Sequence, residues 1–292
     1  MTPLRQKLID EIQLRGYSSS TQDNYVRWVA DLAQFYDRSP DAISDPEIKS
    51  FLVHLWRVRK LAASTLIVAV SALRFFFGRV LLRPTEAVEQ ALPRMKKPTR
   101  LPRVYSGLEL ERLFGLPDLD RKHRAMFLTA YAAGLRVSEV CHLQVTDLQS
   151  DRYQIRVDQG KGHKDRYTIF SPRLQEELRA YWRLYRPTTW LFPSPYFPEH
   201  PLTRGAVQKA FSESVARAGL PDRGGIHSLR HSFATHLLEA GIDVLTLKRL
   251  MGHSSLASTT VYLHVRQERL MGSALDLLDF RRGQQSPSEP GC

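Results

Sequence analysis

The composition of this 292-residue chain favours a globular protein with a polyanionic partner. It has 42 Lys and Arg against 30 Asp and Glu, a formal charge of +12, with an ordinary apolar fraction of 42%. The length predicts two domains. The two cysteines, Cys141 and Cys292, do not indicate a disulfide framework and fit a reducing compartment. The start of the chain is charged and amphipathic, unlike the apolar region of a secretion signal.

Four amphipathic helices are predicted in the first part of the chain, forming a small bundle that ends near Pro84. Capping boxes at Ser19 with Gln22 and at Ser44 with Glu47 indicate where two of them begin. Apolar residues recur at helical spacing at Leu4, Leu8, Ile12, Tyr25, Trp28, Leu32, Phe51, Leu55, Leu66, Val70, Leu73 and Phe77.

The longest apolar stretch runs from residue 66 to residue 82. Polar residues and a glycine interrupt it at Ser71, Arg74, Gly78 and Arg79. It is therefore too polar for a membrane span and predicts a core helix. We expect no membrane partner and a cytoplasmic location.

A basic, proline-rich linker is predicted over residues 89–104. Pro93, Pro98 and Pro102 forbid a continuous helix there. Five cations crowd the same segment: Arg94, Lys96, Lys97, Arg100 and Arg103. Such a stiff, basic segment is suited to lie along a phosphate backbone. The alternative is a solvated hinge without a partner.

A second domain is predicted from residue 105, beginning with a cap formed by Ser106 and Glu109. An apolar helix follows over Arg124–Tyr131, and Gly134 then allows a tight turn. Two alternating segments, one with Ile155 and Val157 and the other with Tyr167 and Ile169, flank the turn at 160–165 and predict a β-hairpin.

Helices are predicted to resume after this hairpin. They begin at Leu174, and a loop rich in proline and aromatic residues follows over Leu191–Pro201. The later helices are placed at Ala206–Ala218, Ser228–Ala240, Val244–Met251 and around Leu270–Phe280, with a polar, disordered tail over 282–292. The chain is thus predicted to be mainly helical with a small β-sheet.

A set of polar residues in the second domain has the chemistry to break a phosphodiester. Arginines, histidines and a lysine can surround one phosphate, and a tyrosine can attack it. These candidates are Arg136, Lys161, His227, Arg230, His253 and Tyr262. No cluster of carboxylates or of Cys and His suggests a metal, so we expect the chain to use its own side chain as the nucleophile.

Each candidate also has an ordinary structural interpretation. Tyr262 alone could be a packing aromatic, and His227 a structural histidine. Arg136 could simply pair with Glu139, and the hairpin lysines could be solvated turn residues. Spacing along the chain does not bring these groups into one site.

The motifs that carry these residues resemble the tyrosine recombinase, or phage integrase, family, most closely its bacterial Xer-type branch. The resemblance covers nearly the whole chain. It is strongest over Gly134–Val140, Gly160–Arg166, His227–Leu238, Leu250–Ser255 and Thr259–Val265. One departure is Met251, which stands where a leucine is usual before the glycine and is of similar size.

The resemblance implies a role for each candidate. Arg136 and Arg230 would be the catalytic arginines, Lys161 the hairpin lysine, and Tyr262 the nucleophile. His227 and His253 would assist at the phosphate. Lys164 lies in the same turn as Lys161 and is kept as a DNA-binding candidate together with the linker cations. Glu139, His231 and Cys141 are expected to support or pack against the site.

The resemblance also implies a fold and an activity. An N-terminal, SAM-like core-binding domain (1–88) and an α+β catalytic domain (105–281) would form a C-shaped clamp on double-stranded DNA. Four copies, with or without a second recombinase, would join two inverted-repeat sites. Strands would be cleaved and rejoined through a 3′-phosphotyrosine without metal, ATP or another cofactor. Integration, excision, dimer resolution and transposon movement all fit this activity.

Two other functions stay open from the sequence. A type IB topoisomerase uses similar groups but reseals the same strand. A catalytically silent DNA-binding accessory protein would bind DNA without cutting it, although the complete set of candidates argues against this. The apolar helix after Tyr262 favours recombination, because its apolar face must be buried within its own chain or against a neighbouring copy.

Overall fold

A computed structural model describes residues 2–92, 102–160, 164–253, 255, 257–260 and 262, apart from the side chains of 159, 160, 164, 257 and 260. The chain separates into two compact units, Met1–Arg100 and Leu101–Cys292. Both units are built mainly from helices, and a small sheet lies in the second. The predicted fold class is therefore confirmed. The predicted last helix and the polar tail lie outside the described residues.

The first unit contains the four predicted helices and a fifth one. The helices are α1 (Pro3–Leu14), α2 (Ser19–Tyr36), α3 (Asp45–Arg57), α4 (Ala63–Phe75) and α5 (Thr85–Ala91), with a 3-10 turn at Pro40–Ala42 and a π-helical segment at Phe76–Val80. Their apolar faces meet in a core in which Leu32, Phe51 and Leu73 are almost completely buried.

The helix caps of this unit agree with the sequence at one position and differ at another. The backbone N–H of Ser44 donates to the Glu47 carboxylate at 2.8 Å, as the capping box predicts. At α2, however, Ser18 rather than Ser19 is the N-cap and accepts from the N–H of Thr21 at 3.3 Å. Three successive serines, at 18 to 20, lie at the start of this helix, so composition alone does not determine which of them caps it.

The predicted end of the bundle at Pro84 is wrong, because α5 follows it. Pro84 lies immediately before α5, where its missing N–H costs no helical hydrogen bond. Val88, Ala91 and Leu92 pack into the core of the first unit, so the segment assigned to the linker from residue 89 is helical at its start. We therefore propose a linker that begins after residue 92.

Within the part of the chain that the structure describes, one helical stretch, Ala63–Val80, is long and apolar enough to cross a membrane, with a mean hydropathy of 1.5 over 18 residues. The core helix of a soluble protein passes the same test. Leu66, Ala69, Leu73 and Phe76 from this stretch lie in the core of the first unit. Its burial agrees with the core helix predicted from the sequence.

The second unit surrounds a larger apolar core with helices and a sheet. Its helices are α6 (Gly107–Phe114), α7 (Arg121–Ala132), α8 (Val137–Cys141), α9 (Pro172–Tyr185), α10 (Arg204–Arg217), α11 (His227–Glu239), α12 (Val244–Met251) and α13 (Ala257–Thr260). The capping box at Ser106 is confirmed by two hydrogen bonds with Glu109, of 2.8 and 3.3 Å. A 3-10 turn at Val145–Asp147 precedes the sheet.

The sheet is antiparallel in the order β1 (Leu148–Gln149), β2 (Gln154–Gly160) and β3 (Lys164–Ile169). The predicted hairpin is confirmed, and the short β1 was not predicted. Ile155 pairs with Thr168, and Val157 pairs with Arg166. Paired residues share a face of the sheet, and Ile155 and Val157 are buried, so Arg166 faces the interior of the unit.

Gly134 ends the turn after α7 in a conformation that requires glycine. Its φ is +62°, and a Cβ built on it would lie 2.4 Å from two ring carbons of Phe233 on α11. The backbone of the turn can approach α11 this closely only because no side chain separates them. The turn therefore fixes the position of Arg136 relative to α11.

We expect Gly134→Ala to lower the free energy of unfolding by about 2–5 kcal/mol, from the positive φ and the overpacking against Phe233. Thermal unfolding of the full chain measures this loss. Gly205→Ala is the matched control, because a Cβ at Gly205 meets nothing within 4 Å and its φ is not positive. Equal melting temperatures for the two variants would contradict the prediction.

Candidate active site

The first candidate arginine, Arg136, is the N-cap residue of α8. Its backbone N–H and its Nη1 both donate to the Glu139 carboxylate, each at 2.7 Å. Its Nη2 makes a long contact of 3.4 Å with the carbonyl oxygen of Gly252. Several N–H groups of this guanidinium are left for a ligand, because arginine carries five.

The second candidate arginine, Arg230, lies in the buried face of α11. Its Nη1 donates to the carbonyl oxygen of Gly134 and its Nη2 to that of Met251, each at 2.5 Å. Burial and the nearby Arg136 lower the pKa of Arg230 to about 9, and Glu139 opposes them. Arg230 therefore stays charged at neutral pH and ties the turn after α7 to the end of α12.

The carboxylate of Glu139 connects the cations of the site. Its side chain is 7% exposed, and it accepts from Arg136 and, through both oxygens at 2.8 Å, from Arg166. Arg230 Nη1 lies 3.8 Å away. Burial alone would raise the pKa of Glu139, but the hydrogen bonds and charges of Arg166 and Arg136 lower it to about 2. The carboxylate is thus ionised, and Arg136 does pair with it.

The two candidate histidines lie at the ends of helices. His227 is the first residue of α11, and its surface is exposed. Loss of hydration beside the neighbouring protein, together with the charges of Arg230 and Arg136, lowers its pKa. His253 follows Gly252, the left-handed cap of α12, and its Nδ1 lies 2.9 Å from the Thr259 hydroxyl. Burial and nearby arginines lower the pKa of His253 to about 4.

Tyr262 is almost completely buried, with 3% of its surface exposed. Its hydroxyl lies 2.7 Å from Nδ1 of His231. Burial raises the pKa of Tyr262, while the positive charges of Arg230 and Arg136 act to lower it. Burial and the neighbouring His227 and Arg230 lower the pKa of His231 to about 4. A neutral His231 can accept a proton from this hydroxyl through Nδ1.

The structure thus brings five of the six candidates into one neighbourhood: Arg136, His227, Arg230, His253 and Tyr262. The sixth, Lys161, lies outside the described residues, as do Arg94, Lys96, Lys97 and Arg100. Lys164 is the first residue of β3, and Arg103 is exposed. In the described part of the chain, no three His, Cys, Asp or Glu are placed to hold a metal ion.

Two residues of this neighbourhood were not predicted as contacts. Arg166 was not singled out, although an arginine on the inward face of a strand signals a buried anionic partner. His231 was expected to support or pack against the site, and it lies directly on the tyrosine hydroxyl. Cys141 is buried in the apolar core, as the packing interpretation predicts.

Comparisons with known proteins agree over nearly the whole chain. The phage integrase family matches residues 107–269, and the phage integrase N-terminal SAM-like domain matches residues 4–87. A putative integrase/recombinase of Sinorhizobium fredii, y4qK, is 43% identical and the match covers 99% of this chain and 94% of that protein. The tyrosine recombinase XerD of Lacticaseibacillus casei is 32% identical over 88% of this chain and 92% of its own length.

A solved structure of lambda integrase residues 75–356, a dimer bound to a COC′ core site, has a TM-score of 0.72 and 20% identity. The match covers 89% of this chain and 93% of that one, and it shows the shared fold. The family itself is shown by the two family matches and by the identity to relatives that are covered over 94% and 92% of their length. This chain belongs to the phage integrase family of tyrosine recombinases, enzymes of site-specific DNA recombination.

Proposed function

We propose that this recombinase cleaves DNA with the hydroxyl of Tyr262 and holds the cut strand as a 3′-phosphotyrosine. The observation that carries the proposal is the placement of Tyr262 in a buried site where the charges of Arg136 and Arg230 act on its hydroxyl. A phenol is a weak nucleophile at neutral pH, since its ordinary pKa is about 10. Neighbouring positive charges lower the free energy needed to form the phenolate.

In the proposed step, the Tyr262 oxygen forms a bond to phosphorus while the bond from phosphorus to the 5′ oxygen breaks. Arg136 and Arg230 donate to the non-bridging oxygens, where negative charge develops. The leaving 5′ oxygen takes a proton from Lys161, and the tyrosine proton passes to a neighbouring histidine. The 2.7 Å contact between Nδ1 of His231 and the Tyr262 hydroxyl supports His231 as the acceptor, and His227 is the alternative.

Rejoining is the same reaction in reverse. A 5′ hydroxyl attacks the phosphotyrosine, and Tyr262 leaves with its proton returned. The broken phosphodiester is replaced by another phosphoester, so the reaction needs no ATP to drive ligation. The arginines provide the positive charge that a divalent metal supplies in many other phosphoryl transfers.

Double-stranded DNA is the partner that the family and the charge of +12 indicate. We propose that the basic linker, including the exposed Arg103, and Lys164 contact its phosphates. We also propose that four copies join two inverted-repeat sites. Such contacts position the enzyme, while the site sequence is read by side chains in the grooves.

The test uses a duplex that the protein itself selects from a pool of random-sequence duplexes. Copies of it are nicked at successive positions near the centre, so that a short cleaved fragment diffuses away and the intermediate accumulates. We expect detergent-resistant protein–DNA adducts to form at the same rate with and without EDTA, and without ATP. A strict requirement for a divalent metal would refute the proposed chemistry.

A second assay separates strand exchange from relaxation. Two labelled duplexes that carry the selected site are mixed with the protein, and recombinant products are followed on a gel. Recombinant products are expected. Relaxation of supercoiled plasmid without any exchange would instead indicate activity of the topoisomerase type.

A further inference from the structure

Arg166 makes three hydrogen bonds at the centre of the candidate site, although the proposed chemistry gives it no role. Two of them, of 2.8 Å each, join its Nη atoms to the two oxygens of Glu139. The third, of 2.9 Å, joins its Nε to the carbonyl oxygen of Leu250 at the end of α12. Both side chains of the ion pair are less than a tenth exposed, at 9% and 7%. A bidentate pair of this kind, between a guanidinium and a carboxylate, has a fixed geometry.

Arg166 also lies directly against the backbone that leads to His253. A Cβ on Gly252 would be 2.7 Å from the Cδ of Arg166, so glycine is required there to let the backbone pass. The same short segment is held by the catalytic candidates, since Met251 accepts from Arg230 and Gly252 from Arg136. Arg166 therefore contacts the peptide segment that both catalytic arginines also contact.

The charges around Glu139 show what Arg166 contributes. The carboxylate is ionised and lies within 4 Å of three guanidiniums, those of Arg136, Arg166 and Arg230. Arg166 occupies both carboxylate oxygens, whereas Arg136 shares one of them through Nη1. Without Arg166, the remaining contacts of this buried anion in the described part of the chain would come from the two proposed phosphate-binding arginines. It would then compete with the phosphate for their N–H groups.

We propose that Arg166 is a positioning residue that holds Glu139 and so leaves the guanidiniums of Arg136 and Arg230 available for the scissile phosphate. Arg166 lies in β3, which follows Lys161 in the sequence, so the same contact ties this strand to the arginines. The inference rests on the proposed function, because it assigns a purpose to Arg166 only if those arginines bind a phosphate.

The test compares adduct formation on the nicked duplex by Arg166→Met and by the double variant Arg166→Met/Glu139→Gln. The single variant is expected to form adducts about 10- to 100-fold more slowly, because small misplacements of catalytic groups have effects of this size. The double variant is expected to form adducts at least about fivefold faster than Arg166→Met, since no buried carboxylate then competes for the arginines. The amide introduced by Glu139→Gln can still accept from the backbone N–H of Arg136.

A merely structural role for Arg166 predicts a different result, because removing Glu139 as well would loosen the site further. A double variant no faster than Arg166→Met would overturn the proposal, as would wild-type adduct rates for Arg166→Met. If Arg166→Met fails to fold, Arg166→Lys tests the same point. Lysine keeps the positive charge but lacks the paired donors of the guanidinium. Adding Glu139→Gln to Arg166→Lys is expected to raise the rate of adduct formation in the same way.

Arg156→Met is the matched control. Arg156 lies on the neighbouring strand β2 and pairs with Asp147 at 3.0 Å, and no role in the proposed chemistry is assigned to it. It should leave the adduct rate unchanged. Thermal melting and gel-shift binding of the selected duplex establish that each variant folds and binds. Wild-type protein without adducts would overturn both the proposed function and this role, whereas active wild type with an equally active Arg166→Met would overturn the role of Arg166 alone.

Discussion

Tyr262→Phe is expected to abolish covalent protein–DNA adducts on nicked duplexes while binding to the same duplex is kept. The variant loses one oxygen and keeps the ring that packs beside Phe233, Leu247 and Met251 in a small apolar cluster. The lost hydrogen bond to His231 should change stability by only about 0.5–1.5 kcal/mol. Adducts are counted on denaturing gels, and binding is measured by gel shift.

The chain offers a matched control for this variant. Tyr131 on α7 packs against the same apolar cluster, and its hydroxyl lies 2.8 Å from Nδ1 of His236. Tyr131→Phe therefore removes an equivalent hydroxyl–imidazole contact and is expected to form adducts normally. Adducts formed by Tyr262→Phe would show that another side chain is the nucleophile.

The same pair of variants, together with the strand-exchange assay, decides between the functions that the sequence leaves open. A silent DNA-binding protein would form no adducts even as the wild type, and Tyr262→Phe would then change nothing. A topoisomerase would form adducts through Tyr262 but would not exchange strands between duplexes. Only a recombinase gives adducts that depend on Tyr262 together with recombinant products.

Much of the helical framework is predictable from local sequence, because capping and apolar spacing act within a few residues. The bounds of α12 agree with the prediction, and both of its ends carry strong local signals. Asp243 accepts from the N–H groups of Leu245 and Thr246, and Gly252 takes the left-handed conformation at the other end. The missed α5 lies between two prolines, and its stability comes from burial of Val88 and Ala91 in the core rather than from such signals.

The contacts of the site are harder to predict, because they depend on how separate elements pack. The sequence places Glu139 three residues after Arg136, which predicts their ion pair. It does not show that Arg166, on a strand whose pairing with β2 is irregular between Val157 and Gly160, reaches the same carboxylate. Nor does it show that His231 rather than His227 meets the tyrosine hydroxyl, since both lie on the same helix, four residues apart.

Arg230→Lys is expected to lower the rate of adduct formation by about two to three orders of magnitude, the effect of removing one preorganised donor from a charged transition state. Lysine keeps the positive charge. It lacks the planar fork with which Arg230 donates to the carbonyl oxygens of Gly134 and Met251. One or both carbonyls would lose a partner, which should also lower the free energy of unfolding by about 1–3 kcal/mol.

The control must therefore separate a loss of folding stability from a direct effect on the rate of adduct formation, and Arg124→Lys does so. Arg124 on α7 likewise pairs with a carboxylate, Glu177 at 2.8 Å, and donates to a backbone carbonyl, that of Phe114. Its replacement should cost similar stability and leave the adduct rate near that of the wild type. Comparing the two variants at a temperature where both are folded isolates the effect on the phosphate. If Arg230→Lys, folded and bound to the duplex, forms adducts as fast as Arg124→Lys, then Arg230 supports the fold and does not stabilise the reacting phosphate.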